Sequence, residues 1–316
     1  MYRFIYLTVF FLVIALPLKA QENLVSNGSF EEYNNCPDGP SKINYAPPWI
    51  YPTTGTSDYF NSCANLINPS VGVPSNSLGF QYAHSGNAYS GLFPASGTYK
   101  EYIQVELIKP LVKGKVYNIS YFVSLADTVA VSLYSIDMHI SISPPSSNNF
   151  FVLPYQPQIK NKIGNYFNWN DWTEVQGEYM AEGGEKFITI GNFNDTSNTD
   201  TIKLTNNILY NQSVSYVYID DVSITEIICE PVFPNVFTPN DDGMNESWQP
   251  KLCIDDNEQA NIIIYNRWGQ KVYEAVNKDA FWDGKTTSGT DVEEGTYYYI
   301  ITTTKETYKG TIQLLR

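Results

Sequence analysis

The sequence predicts an all-β protein made of two β-sandwiches, a larger one followed by a smaller one. Three observations predict it. Aromatic residues make up 15% of the 316 residues, 25 of them Tyr, a composition that favours strands. Short runs of alternating β-branched and aromatic residues recur, cut by Gly, Pro, Asn and Asp, and no segment after the first twenty residues carries a convincing helical period. A stretch holding Pro231, Pro234 and Pro239 then divides two groups of such runs, because none of these prolines suits a central strand.

Taken in order, the chain opens with "MYRFIYLTVFFLVIALPLKAQ". Arg3 precedes an apolar run from Phe4 to Leu16, Pro17 closes it, and small Ala20 stands before Gln21. This is the layout of a secretory signal peptide, residues 1–20, cleaved after Ala20. The run is too short for a membrane anchor, and no later apolar run is long enough to span a membrane. No Cys follows Ala20, which argues against a lipid-modified terminus. The segment Pro37 to Asn76 is rich in Pro, Asn, Ser and Gly and reads as loop. "KVYNISYFVSLA", Lys115 to Ala126, alternates as a strand with Val116, Asn118, Ser120 and Phe122 on one side. "VSLYSIDMHISIS", "WTEVQGEYMA" and "KFITIGNF" read as further strands, and Asn192 to Asn207 as a polar loop. "SYVYIDDVSITEI", Ser215 to Ile227, reads as one long strand. The boundary falls near Glu230, and the proline stretch feeds an edge strand. Then come "ANIIIYNRWGQKVYEA", a hairpin turning at Arg267-Trp268-Gly269, and "FWDGKTTSGTDVEEG". "TYYYIITTT" and "YKGTIQLLR" finish a set of strands the size of an immunoglobulin-like sandwich. The expected domains are therefore 21–228 and 231–316.

Charge and cysteines narrow the function classes. Without Arg3 and Lys19 the chain carries 17 basic against 33 acidic residues, a net charge of −16. Such a surface repels phosphate backbones and anionic lipids, so nucleic acid is not an expected partner. Four cysteines in an exported chain point to disulfides. Three pairings are open, and pairing within each half, Cys36 with Cys63 and Cys229 with Cys253, is the simplest. Catalysis finds little support. His84, in "YAHSGNAYSG", and His139, in "SIDMHISIS", are the chain's two histidines, and neither has the setting of a triad base. A glycosidase pair of facing carboxylates is not legible among 33 acids.

"FPNVFTPNDDGMNESW", "IYNRWGQKVYE", "WDGKTTSG" and "EGTYYYIITTT…YKGTIQLLR" resemble, in that order, the gliding-motility-associated C-terminal domain of Bacteroidetes. This is the type B sorting domain of the type IX secretion system. The resemblance covers Pro231 to Arg316; Asp241 and Glu246 depart from the family's usual loop, which has Gly and Asp there. It implies a β-sandwich without catalytic activity. It also implies type IX secretion machinery as partner, and export through the periplasm to the cell surface or medium. The preceding part resembles a jelly-roll module of the carbohydrate-binding or galactose-binding-like type, carried by "NLVSNGSFEEY" at the start and "YVYIDDVSI" at the end. That resemblance implies a jelly-roll passenger whose first and last strands lie together. It also implies a structural calcium between Glu31 and Asp220, with Asp221 as the neighbour.

Two further sites are legible as candidates. Asn240-Asp241-Asp242-Gly243 fits an Asx-type turn with Gly243 at positive φ. The EF-hand template fails because Gln249 stands where its closing Glu should be; a looser calcium site from Asp241, Asp242 and Glu246 is the alternative. For sugar, rings that stack on pyranose faces need polar neighbours for the hydroxyls. Trp49, Tyr51, Tyr59 and Trp169 lie in "PPWIYPTTGTSDYF" and "NYFNWNDW" with such neighbours, whereas Trp172, at a strand start, is assigned to the core. The expectation is an exported, non-enzymatic protein whose N-terminal sandwich binds an extracellular ligand, polysaccharide first and a surface protein second. The alternatives are a structural or adhesion component of the cell surface linked to gliding, and a secreted hydrolase.

Overall fold

The computed structural model describes residues 21–96, 98–204, 214–254 and 258–316; the expected signal peptide lies outside the described residues. The chain divides into two compact units at Ile227/Ile228. Regular structure among the described residues is strand, with three short 3-10 turns and no α-helix. No helix there is long and apolar enough to cross a membrane.

The first unit contains β1 (Asp58–Asn61), β2 (Ser75–Asn76), β3 (Gly79–Phe80), β4 (Ala88–Ser96), β5 (Tyr102–Glu106) and β6 (Val116–Leu125). After them come β7 (Val131–Leu133), β8 (Asp137–Ser141), β9 (Thr173–Met180), β10 (Phe187–Gly191), β11 (Thr201–Lys203) and β12 (Val214–Glu226). One sheet has the order β1-β4-β12-β6-β9 and a second β5-β10-β8. Alternation decides the faces. Tyr117, Ile119, Tyr121, Val123 and Leu125 of β6 point inward. They join Ile219, Val222 and Ile224 of β12 and Ile103, Val105, Ile188, Ile190, Met138 and Ile140 of the second sheet in one buried cluster.

The chain start runs beside β12, as the resemblance implies. Leu24 N–H donates to Ile224 O (2.8 Å) and Val222 N–H to Gly28 O (2.9 Å), while Asn23 Oδ1 accepts Ile224 N–H (2.9 Å). The approach is close: a Cβ at Gly28 would fall 2.1 Å from Val222 O, so only glycine fits. Two expectations change. β1 lies inside the segment expected to be loop, and its four residues are all buried. Burial on both faces erased the alternation that marks a half-exposed strand. The run Val131 to Ser143 is two strands, since Ile136 N–H closes on Tyr134 O (3.0 Å) and sends β7 to β11 and β8 to β10.

The second unit is one sheet, β13 (Val236–Phe237), β14 (Asn261–Tyr265), β15 (Lys271–Val276), β16 (Gly295–Thr302) and β17 (Thr307–Leu314), in the order β13-β17-β16-β14-β15. β13 is the edge strand that the prolines allow, set parallel to β17. Ile262, Ile264, Tyr297, Tyr299, Ile301, Ile312 and Leu314 pack on Phe237, Trp248 and Trp282. Trp248 and Trp282 exchange both backbone hydrogen bonds, each 2.8 Å, and so hold the opposing layer. Disulfides join Cys36 to Cys63 and Cys229 to Cys253, one within each unit.

Candidate functional site

The outer face of the five-stranded sheet carries the candidate site. Over β1, β4 and the first half of β12 this face is covered, and Phe60, Tyr89, Tyr216 and Tyr218 are fully buried there. Over β6, β9 and the second half of β12 it is open. The register sets Ser120 opposite Gln176 and Asn118 opposite Glu178. On its other side Ser120 faces Ser223 and Asn118 faces Thr225. These six polar side chains share one face and are exposed or half-buried.

Aromatic rings border this polar floor. Phe122, also on the outer side of β6, stacks on His84 with centroids 3.6 Å apart. Trp172 meets His84 edge-on at 6.0 Å, and its Nε1–H donates to Tyr82 O (3.0 Å). Tyr82 and Phe80 pack edge to face at 5.2 Å and remain 67% and 52% exposed. The strip therefore presents ring surface to water beside amides, hydroxyls and carboxylates.

The loop that carries His84 is held by three acids. Asp220 Oδ2 accepts from His84 N–H (2.9 Å) and Ser85 N–H (3.3 Å). Asp221 takes the Ser85 hydroxyl (2.7 Å) and faces His84 Nδ1 (2.5 Å). Glu31 Oε1 accepts from Asn87 N–H (2.7 Å) and Ala88 N–H (2.9 Å). A β-bulge follows Asp220, and Asp221 adopts φ 47° in it. The bulge turns both neighbouring carboxylates toward the loop. Burial first, and then Asp221, push the Asp220 carboxyl up to about 8, against the N–H donors that favour its charged form.

Among the described residues, no three His, Cys, Asp or Glu side chains form a group that could hold a metal ion. Glu31, Asp220 and Asp221 fasten residues 84–88 to the sheet. In the second unit, Asn240 Oδ1 accepts from Asp242 N–H (3.2 Å) and Asp242 Oδ1 from Met244 N–H (2.7 Å). Glu246 accepts from Asp241 N–H (3.1 Å) and Gly243 N–H (2.9 Å), and Gly243 has φ 83°. Asp241, Asp242 and Glu246 thus lie in an Asx-type turn in which backbone N–H groups donate to the carboxylates of Asp242 and Glu246.

The four aromatics read from the sequence as sugar ligands divide. Trp49 is core rather than platform: it is buried, packs on Phe30 at 4.9 Å and donates from Nε1 to Asn27 O (2.8 Å). Tyr59 is corrected in the same way, buried with its hydroxyl donating to Phe30 O (2.9 Å). Tyr51 is 36% exposed. Trp169 is half-buried against the first core. Sequence reasoning missed Phe80, Tyr82, His84 and Phe122; Trp172, which it assigned to the core, is half-buried and packs against the first core while its edge joins the strip. The available signal was that Phe122 shares a strand side with Asn118 and Ser120.

Other polar groups are interior. Asp58 accepts from Tyr216 Oη–H (2.5 Å), and Glu101 from Tyr99 Oη–H (2.6 Å) and Phe93 N–H (2.8 Å). Burial pushes Glu101 up to about 7. Both acids are buried and hydrogen-bonded, without the opening that a glycoside substrate needs. His139 is a sheet residue, with Nδ1 at 2.9 Å from Gln156 O.

Fold and site together define a β-sandwich with an open polar face bordered by aromatic rings, followed by a second, smaller β domain. Residues 232–314 match the CHU_C family, the type IX secretion signal domain. The chain therefore carries a signal for export to the cell surface or medium. No curated protein matches the chain. Among solved structures it is similar to the CBM22-1 xylan-binding domain of Paenibacillus barcinonensis Xyn10C, at 13% identity and TM-score 0.36, covering 67% of this chain and 99% of that one. It is similar also to the tandem CBM22-1-CBM22-2 domain of the same protein, at 11% identity and TM-score 0.39, over 95% of this chain and 87% of that one. The K2 cleaved adhesin domain of Lys-gingipain is a further likeness, at 11% identity and TM-score 0.30, over 64% of this chain and 97% of that one. At these values the likenesses carry no functional argument.

Proposed function

We propose that this is an exported, non-enzymatic binding protein. Its first unit holds an extracellular polysaccharide on the open half of the five-stranded sheet, and its second unit serves as the export address. The observation that carries the binding reading is the juxtaposition of the strip Phe80, Tyr82, His84, Phe122 and Trp172 with the floor of Asn118, Ser120, Gln176 and Ser223. Sugar faces stack on rings while sugar hydroxyls need amide and hydroxyl partners, and this surface offers both side by side. Glu174, Glu178 and Asp221 border it, so an uncharged chain is favoured over a polyuronate.

Affinity electrophoresis and pull-down of the mature protein on neutral and acidic polysaccharides test the reading. Retention on a neutral glycan is expected, with Tyr82→Ala and Trp172→Ala each weakening it about tenfold or more, as hot-spot aromatics do. Tyr51→Ala, away from the strip, should bind as the parent does. Blank results across both glycan classes, or undiminished binding by Tyr82→Ala and Trp172→Ala, would overturn it.

A further inference from the structure

The chain has six tryptophans, and in five of them the ring is buried or half-buried. The sixth, Trp268, is 75% exposed. It stands at the apex between β14 and β15, and the apex is rigidly built. Asn266 Oδ1 accepts from both Trp268 N–H and Gln270 N–H, each 3.0 Å. Asn266 N–H donates to Gln270 O and Gly269 N–H to Asn266 O, each 2.9 Å, with Gly269 at φ 76°. The Arg267 guanidinium lies 5.3 Å from the indole centroid and stiffens it further. Beside the apex runs a groove of about 190 Å³ lined by Arg267, Trp268, Val292, Glu293, Glu294 and Tyr297, among others.

These bonds fix the backbone of the turn, and the turn leaves a large apolar ring in water, where its burial against a partner would be favourable. Preorganised Trp and Arg at a protrusion beside a side-chain-sized groove are what protein interfaces concentrate their affinity in. The apex also lies inside the segment that matches a secretion signal domain. We infer that the Arg267–Trp268 apex and its groove are the surface by which the export apparatus recognises this domain. The partner is a protein component of the type IX machinery presenting an apolar side chain to Trp268. The inference rests on the sorting role proposed above.

The test is export of the full chain from cells that possess the type IX system, measured as the fraction at the surface and in the medium against the fraction kept in the periplasm. Trp268→Ala and Arg267→Glu should each lower the exported fraction about tenfold or more, a hot-spot-sized loss. Both should melt as the parent does, because neither side chain is packed. Val276→Ser, exposed on the same sheet away from the groove, should be exported normally. Deletion of 231–316 should leave the protein in the periplasm. Normal export of Trp268→Ala beside retention of the deletion would overturn this surface and leave the sorting role standing. Export of the deletion would overturn both.

Discussion

Asp220 shows how one residue couples fold and site. Its carboxyl is buried under the loop that carries His84, and its folded value is raised from 3.8 to about 8. Between those values the folded chain keeps a proton that the unfolded chain has released. Its contribution to stability is therefore complete below about pH 4 and is lost as pH rises through 8. Glu101, raised to about 7, and Asp137, raised to about 6, act in the same direction. The melting temperature of residues 21–228 is accordingly expected to fall from pH 5 to pH 8. In Asp220→Asn, which has no proton to lose, the fall should be smaller, chiefly between pH 6 and 8. Thermal melts of the two proteins across this range check it; parallel curves would mean that Asp220 is ionised throughout. The same residue marks the limit of reading sites from sequence. The acids of "FEEY" and "IDDV" are visible there, but their turn toward residues 84–88 depends on a bulge at Asp221. Likewise Trp49 and Tyr59 have polar neighbours that look like sugar partners. Those neighbours, Asn27 O and Asn61 Nδ2, satisfy the rings' own polar atoms inside the core.

At the scale of elements, the covalent links do different work from the strands. Cys229–Cys253 ties the segment before β13 to the segment before β14, across 24 residues, in a unit whose sheet is edged by only two residues of β13. A loop of that length is worth about 3 kcal/mol in the chain-entropy account. For a domain of this size each kcal/mol moves the melting temperature by about 4–8 °C. The Cys229→Ser/Cys253→Ser pair should therefore lower the transition of the second unit by more than about 10 °C and leave that of the first in place. Differential scanning calorimetry separates the two; a shift of the first transition instead would contradict the assignment. Strands with one wet face, β6, β9 and β12, were legible because alternation records the contrast between core and water. β1 was not, since burial on both sides removes the contrast. The hairpin at Arg267-Trp268-Gly269 was legible from turn chemistry alone, for Asn266 and Gly269 supply the side-chain acceptor and positive φ that it needs. Phe122, Asn118 and Ser120 were correctly set on one side of β6, yet which side meets water is decided by where the second sheet packs. That depends on contacts far apart in sequence.

For the molecule as a whole, the separation into two self-contained cores has a consequence for export. Each unit closes its own apolar cluster and carries its own disulfide. Neither needs the other to satisfy its interior, so we propose that 21–228 and 229–316, the second piece keeping Cys229 with Cys253, each fold alone. The proposed function then divides with the fold: the proposed ligand surface lies entirely on the first unit, and the matched segment 232–314 entirely in the second. Two outcomes are expected. Residues 21–228 expressed alone should melt as the corresponding transition of the parent does and bind the same glycan with the same affinity. Conversely, 229–316 fused behind a foreign periplasmic protein should carry that protein to the surface or medium, and Trp268→Ala in the fusion should lower the transfer about tenfold or more. Fractionation of cells making the fusion, its variant and the unfused carrier reads this directly. If the fusion stays in the periplasm while the parent protein is exported, recognition requires the passenger as well. The sheet face proposed to bind glycan would then have to be tested as part of the export signal.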